Sequence, residues 1–191
     1  MKKIAIIIMT LLLACLLVAC GSGEAEPGEK SVSITVPNAM LGGQSKEEIV
    51  DNAKQEDIDV SINEKDDTVT YIMTPEKQQE MLLGFKTNFE ENLKTVTDNG
   101  DIPGLISVSY NDDMSAFTVV VNRETFQAEQ GEDKLGFFYS AGSTYQVYAG
   151  HPEEKIDVLV TLVDQATDEE FETLSMRETF DAQQSPGDHA D

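Results

Sequence analysis

From Ser31 onward the apolar residues recur at one spacing and then another, and each change marks an element. Val32, Ile34 and Val36 alternate with Ser31, Ser33 and Thr35, a period of two that predicts a half-buried strand, ended by Pro37-Asn38. Gly42-Gly43 marks a turn. Ser45 and Glu48 then form a capping box, each side chain satisfying a free amide at the start of a helix from Lys46 to about Gln55 that buries Ile49, Val50 and Ala53. Ile58, Val60 and Ile62 alternate with Asp59, Ser61 and Asn63. After the turn Asn63–Asp67, the return strand Thr68–Met73 puts Val69, Tyr71 and Met73 on one face. Thr74 as N-cap, Pro75 at the first position and Glu76 at the positive end of the dipole open the next helix. Leu82, Phe85, Phe89, Leu93 and Val96 recur at three- and four-residue spacing, so one face of that helix is buried, and Asn99-Gly100 ends it.

The hairpin then recurs at an offset of 48 residues. Ile58–Asn63 aligns with Ile106–Asn111, Val69–Met73 with Phe117–Val121, and Glu76 with Glu124. A third version pairs Val158–Leu162 with Phe171–Leu174 across a longer turn. Duplication and the shared demands of three hairpins both account for this. A second helical region spans Asn122–Ala149 and is broken at Gly131. Its second half, Asp133–Ala149, aligns Leu135, Phe138, Gly142, Tyr145 and Ala149 along one side, and Gly150-His151-Pro152 stops it. Three hairpins and a leading strand make a mostly antiparallel sheet of about seven strands, with the helices between hairpins packed on one face. The expected fold is a single α+β domain over residues 31–180. Strand order is not encoded in these patterns.

Residues 1–20 depart from them. Lys2 and Lys3 precede an apolar run, Ile4–Ala19, of 16 residues, short of the roughly 20 that cross about 30 Å of hydrocarbon. Basic, apolar and small-residue segments in that order read as an export signal. Leu17-Val18-Ala19-Cys20 resembles the lipobox of bacterial prolipoproteins, and Gly21 resembles the residue that follows the cysteine in Gram-positive members. The resemblance implies a diacylglyceryl group on Cys20, cleavage of residues 1–19, and retention on the outer face of the cytoplasmic membrane. Two acyl chains anchor stably where one does not. Leu12-Leu13-Ala14-Cys15 is a second lipobox-like stretch, but cleavage there would leave Leu16–Ala19 on the mature chain. An uncleaved anchor helix is the remaining alternative. Residues 20–30 then form the lipidated terminus and a flexible tether, GSGEAEPGEK from Gly21, with no large apolar side chain. Residues 181–191, DAQQSPGDHAD, have the same character and read as a disordered tail. Ser33-Ile34-Thr35-Val36-Pro37 and Gly42–Ile49 are similar to segments of lipoproteins of Gram-positive gut-type bacteria. That likeness, over most of residues 31–175, implies no activity and no site residues.

Charge narrows the partners. The chain carries 13 Lys and Arg against 36 Asp and Glu, and loss of Lys2 and Lys3 with the signal leaves 11 against 36. Nucleic acid is excluded as a partner because phosphates need a basic face. The membrane is met through the lipid rather than the body, and a basic partner is compatible. Cys15 and Cys20 are the only cysteines, so residues 31–180 hold no thiol for a disulfide framework, thiol redox chemistry or a cysteine nucleophile. His189 lies in the tail and His151 just after a helix stop. No GxSxG elbow, phosphate loop or dinucleotide fingerprint is present, and zinc needs several His or Cys ligands. Asp98-Asn99-Gly100-Asp101 and Asn111-Asp112-Asp113 are the densest acidic clusters. Neither matches a calcium loop, and both read as turns.

No catalytic residue, metal ligand or cofactor is therefore expected. The one candidate ligand site is a groove between helix and sheet lined by Phe138, Gly142, Tyr145 and Tyr148, for which ordinary core packing is the competing reading. The chain reads as a non-enzymatic, membrane-tethered binding or accessory protein of the cell envelope, with a protein or small-molecule partner. Two alternatives stay open. A carboxylate-dependent hydrolase of envelope or extracellular glycan or peptide would show two acids with raised pKa in a pocket. A small-ligand carrier would show an apolar cavity of several hundred cubic ångströms.

Overall fold

The computed structural model describes residues 30–184. The expected signal peptide, Cys20, the tether up to residue 29 and residues 185–191 of the expected tail lie outside the described residues. Seven strands and five α-helices follow one another in the order β1 (Val32–Pro37), α1 (Lys46–Gln55), β2 (Asp59–Asn63), β3 (Thr68–Met73), α2 (Pro75–Asn99), β4 (Leu105–Tyr110), β5 (Ala116–Val121), α3 (Arg123–Ala128), α4 (Gly136–Tyr148), β6 (Leu159–Asp164), β7 (Glu170–Ser175) and α5 (Met176–Gln184). The fold is α+β, in a single domain.

The seven strands form two sheets rather than the one expected. One is antiparallel, in the order β1-β3-β2, and the other is mixed, in the order β4-β5-β6-β7, with β5 and β6 parallel. Alternation within a strand is blind to this division. The 25-residue helix α2 carries the chain away from the first hairpin, so the second hairpin starts a new sheet. The α3–α4 crossover then brings β6 back beside β5 in the same direction, as a long helical connection allows and a tight turn does not. Each sheet buries one face. The other face is rich in hydroxyls, with Thr35 Oγ1 3.0 Å from Thr70 Oγ1 in the first sheet and Thr161 Oγ1 3.2 Å from Thr173 Oγ1 in the second.

All three hairpins run directly into a capped helix. Thr74 Oγ1 accepts from the Lys77 amide at 3.2 Å, Asn122 Oδ1 from Thr125 at 3.0 Å, and Ser175 Oγ from Glu178 at 3.3 Å. Each bond satisfies one amide that the first helical turn cannot. The third cap starts α5, which continues through Gln184, past the Phe180 boundary expected for the body. Phe180 packs over Tyr139 at 6.4 Å between ring centroids, which gives the amphipathic turn a surface to rest on.

Two hydrophobic cores result. Phe117, Val119, Val121, Phe126, Phe138, Val160 and Leu162 fill the one under the mixed sheet, and Ile34, Val36, Leu41, Ile49, Val69 and Met73 the one under the antiparallel sheet. Helices α2 and α4 serve both. Phe89 and Phe138 enter the first core, while Met81, Val147 and Tyr148 pack on the second. Gln78 Nε2 donates to the Tyr148 carbonyl at 2.9 Å, and Phe85 lies 4.9 Å from the Tyr148 ring, so the two helices are tied where the cores meet.

Candidate functional site

A groove of about 910 Å³ opens between β1 and the C-terminal half of α4. Ser33, Ile34 and Thr35 border it consecutively. Side chains of successive strand residues point to opposite faces, so three in a row can border one groove only along the strand's edge. The register agrees. The Asn38 amide donates to the Asp67 carbonyl at 2.9 Å, and β1 pairs with β3 from Val32↔Met73 to Pro37↔Thr68 without a break. Bonded and non-bonded pairs alternate in an antiparallel ladder. Val32, Ile34 and Val36 therefore bond to β3, while Ser33 and Thr35 turn N–H and C=O outward. Pro37, with no N–H, ends the run.

The opposite wall is held from below. Gly150 has φ +83°, a left-handed conformation that releases the chain from α4 at little steric cost. The His151 amide donates to the Gln146 carbonyl at 3.0 Å. Arg177 clamps the segment that follows, with Nε donating to the Ile156 carbonyl and Nη2 to that of Glu153, both at 2.7 Å. Asp157 accepts from Ser175 Oγ at 2.9 Å and from the Val158 amide at 2.8 Å, and buried Gln146 donates Nε2 to the Asp157 carbonyl at 2.8 Å. Glu153 and Glu154 are exposed on this wall, and Met40, Val147, Ile156 and Met176 supply the groove's apolar surface.

None of the four residues expected to line a groove borders this one. Phe138 is wholly buried, 5.4 Å from Phe117 and 5.3 Å from Phe137. Gly142 is buried where α4 crosses the mixed sheet; a Cβ there would lie 2.7 Å from Val158 Cγ2 and closer still to the Met114 carbonyl oxygen. Tyr145 is half-buried under the Lys86 ammonium, 5.2 Å from its ring centre. Tyr148 sits between Phe85 and Tyr71, and burial first, then Tyr71, pushes its hydroxyl pKa up. The four share α4's core side, while Ser143 and Val147, one step round the helix, face the groove. Spacing alone does not separate these stripes. An uncharged leading strand and the Gly150-His151-Pro152 stop were the legible signals for the groove.

Other candidate chemistry lies elsewhere. His151 borders the groove. Burial works to raise the Asp113 carboxyl, but the Ser115 hydroxyl at 2.7 Å and amide at 3.2 Å outweigh it and hold the pKa low. Asn111 Oδ1 accepts from the Ala116 amide at 3.0 Å, so that acidic cluster is a turn. Among the described residues no group of three or more His, Cys, Asp or Glu is placed to hold a metal ion, and no helix is long and apolar enough to cross a membrane. Glu172 is pushed up by burial, with Glu132 adding and Arg123 opposing, but it does not border the groove. Its native state keeps a proton that the unfolded chain has lost, so stability falls as pH rises from near 4.5 through the raised value. Glu172→Gln should therefore melt higher than wild type at neutral pH and level with it at about pH 4. A difference of the same size at both pH values would refute the assignment.

Compared with protein-family models, curated proteins and solved structures, the chain matches none.

Proposed function

We propose that this chain is a lipid-anchored, extracytoplasmic binding protein of the bacterial envelope, non-enzymatic, with the groove beside β1 as its binding element. The groove carries the binding half of this reading. It combines unpaired backbone groups at Ser33 and Thr35 with an apolar floor, and its far wall is set by the hydrogen bonds of Arg177, Asp157 and Gln146. Such a site is ready before its ligand arrives, and preorganisation lowers the cost of binding. The anchoring half rests on the order Lys2-Lys3, Ile4–Ala19 and Leu17-Val18-Ala19-Cys20 and on its resemblance to the lipobox. A body, residues 31–180, with 30 acidic residues against 10 basic is repelled by anionic headgroups, which suits a domain held off the surface on a tether. A small-ligand carrier is the second reading, favoured because the groove falls within the roughly 300–1,000 Å³ typical of ligand clefts.

Metabolic labelling with a fatty acid tests the anchor. Wild-type protein should take up label and enter the detergent phase. Cys20→Ala should abolish labelling, and globomycin should make a precursor accumulate. Undiminished labelling and membrane recovery of Cys20→Ala would remove Cys20 from the account, and its loss only in Cys15→Ala would move the anchor there.

A further inference from the structure

We infer that β1 accepts an extended, basic peptide as an added strand, its backbone completing the ladder at Ser33 and Thr35 and its cationic side chains meeting Glu153 and Glu154; this deepens the binding-protein reading and rests on it. An exposed edge is a row of unpaired donors and acceptors, and soluble proteins blunt it with charges, bulges, proline or a covering element. Among the described residues there are four such edges, and three are blunted. β4 is broken by a register shift between Leu105 and Ser107. β7 carries Glu170 and Glu172, and its pairing shifts opposite Leu162 and Val163. β2 carries the charged Asp59; α1 packs on it much as α4 packs on β1, so it is the charge that sets the two edges apart. β1 is the exception: Val32–Val36 holds no charge and no bulge, its register is unbroken, and Pro37 blunts only the last position.

A bare edge open on all sides would invite any strand. This one faces a wall, which limits what can be added. Strand addition takes affinity from main-chain bonds and specificity from pockets for alternate side chains. Met40, which is 37% exposed, and Met176 flank the groove, and unbranched, polarisable methionines adapt to varied apolar partners. Every second side chain of an added strand would enter that surface.

Charge selects the occupant. Glu153 and Glu154 stand exposed on the groove wall and outnumber the one guanidinium there, Arg177, whose Nε and Nη2 are turned to the Ile156 and Glu153 carbonyls. The chain as a whole has a formal net charge of −23. A second copy meeting β1 edge to edge would set two such bodies against each other, and an acidic peptide would be repelled both locally and at long range. A lysine- or arginine-bearing segment is attracted on both scales.

The test uses the full-length protein in detergent and a fluorescein-labelled peptide, Val-Thr-Lys-Thr-Val-Thr-Lys-Thr, whose valines and lysines share one face of the strand. Fluorescence anisotropy should show saturable binding that weakens with salt. A peptide N-methylated at alternate residues, on the edge that meets β1, should bind about tenfold or more weakly, because it lacks the N–H groups that Ser33 and Thr35 carbonyls would accept. Replacing its lysines by glutamates should cost at least about tenfold at low ionic strength. On the protein side, Thr35→Pro deletes an outward N–H and spares the β3 ladder, since edge strands tolerate proline where its N–H would face away. It should abolish binding without lowering the melting temperature much, whereas Thr35→Val, which keeps the N–H, should bind like wild type. The N-methylated peptide asks the same question of the unmutated protein, so a misfolded Thr35→Pro does not leave the matter open. Absence of binding, equal binding of the methylated peptide, or equal binding of the glutamate peptide would overturn the inference. So would a dimer in sedimentation that Thr35→Pro dissociates, because the edge would then belong to a second copy. None of these results bears on acylation of Cys20, so the anchor and the peptide site stand or fall separately.

Discussion

Replacing Phe117 by alanine should cost about 3–5 kcal/mol of folding stability, the usual range for a large aromatic removed from a packed core. Its ring is 1% exposed and lies 5.6 Å from Phe89, 5.8 Å from Tyr110 and 5.4 Å from Phe138. It thus joins β5 to β4, α2 and α4 at once. The backbone around it cannot collapse inward, because β5 is paired on both sides, with β4 and with β6, so the cavity stays. Single domains are stable by only about 5–15 kcal/mol, and the loss should lower the melting temperature by roughly 10 °C or more. Urea unfolding of this variant beside Leu83→Ala supplies the check. Leu83 is 66% exposed on α2, and its loss should stay within about 0.5 kcal/mol. Similar midpoints for the two variants would mean that Phe117 does not organise the core.

Gly142→Ala should destabilise the protein by about 1–3 kcal/mol through overpacking, although alanine is the better helix former by about 1 kcal/mol. The added Cβ would come within 2.7 Å of Val158 Cγ2 and 3.1 Å of Phe117 Cε2, and nearest of all to the Met114 carbonyl oxygen. A rotamer change can move the valine, but nothing short of a shift of α4 moves a backbone carbonyl. Gly84→Ala is the matched control. Gly84 lies inside α2 with nothing within 4 Å of its Cβ position, so there the same substitution should raise stability by about 0.5–1 kcal/mol. Opposite signs in two helical glycines are hard to obtain from any general effect of the mutation. Thermal melts of both variants decide it, and stabilisation by both would show that α4 does not press on the mixed sheet as described.

The close packing of Gly142 also explains why helical spacing does not reveal the groove. Phe138, Gly142, Tyr145 and Tyr148 share a helical stripe with exposed-looking tyrosines and a small residue, which is also what a helix pressed against a sheet requires. Ser143 and Val147 are small and unremarkable in sequence, yet they face the groove. Which stripe meets solvent depends on where α4 sits relative to two sheets, and nothing local reports that.

Elements whose causes act within four or five residues were readable from the chain alone. The Ser45–Glu48 capping box, the Thr74-Pro75 helix start, the helix stops at Gly100 and Gly150, and the alternation in each strand all rest on bonds and sterics between near neighbours. So did the α+β class, because those elements leave apolar faces that helices and sheets must cover in each other. The division into two sheets, the parallel pairing of β5 with β6, the continuation of α5 beyond Phe180 and the bare edge of β1 needed the folded chain. Each turns on partners tens of residues apart, and a strand's own alternation is the same whether it ends up in the middle of a sheet or at its rim.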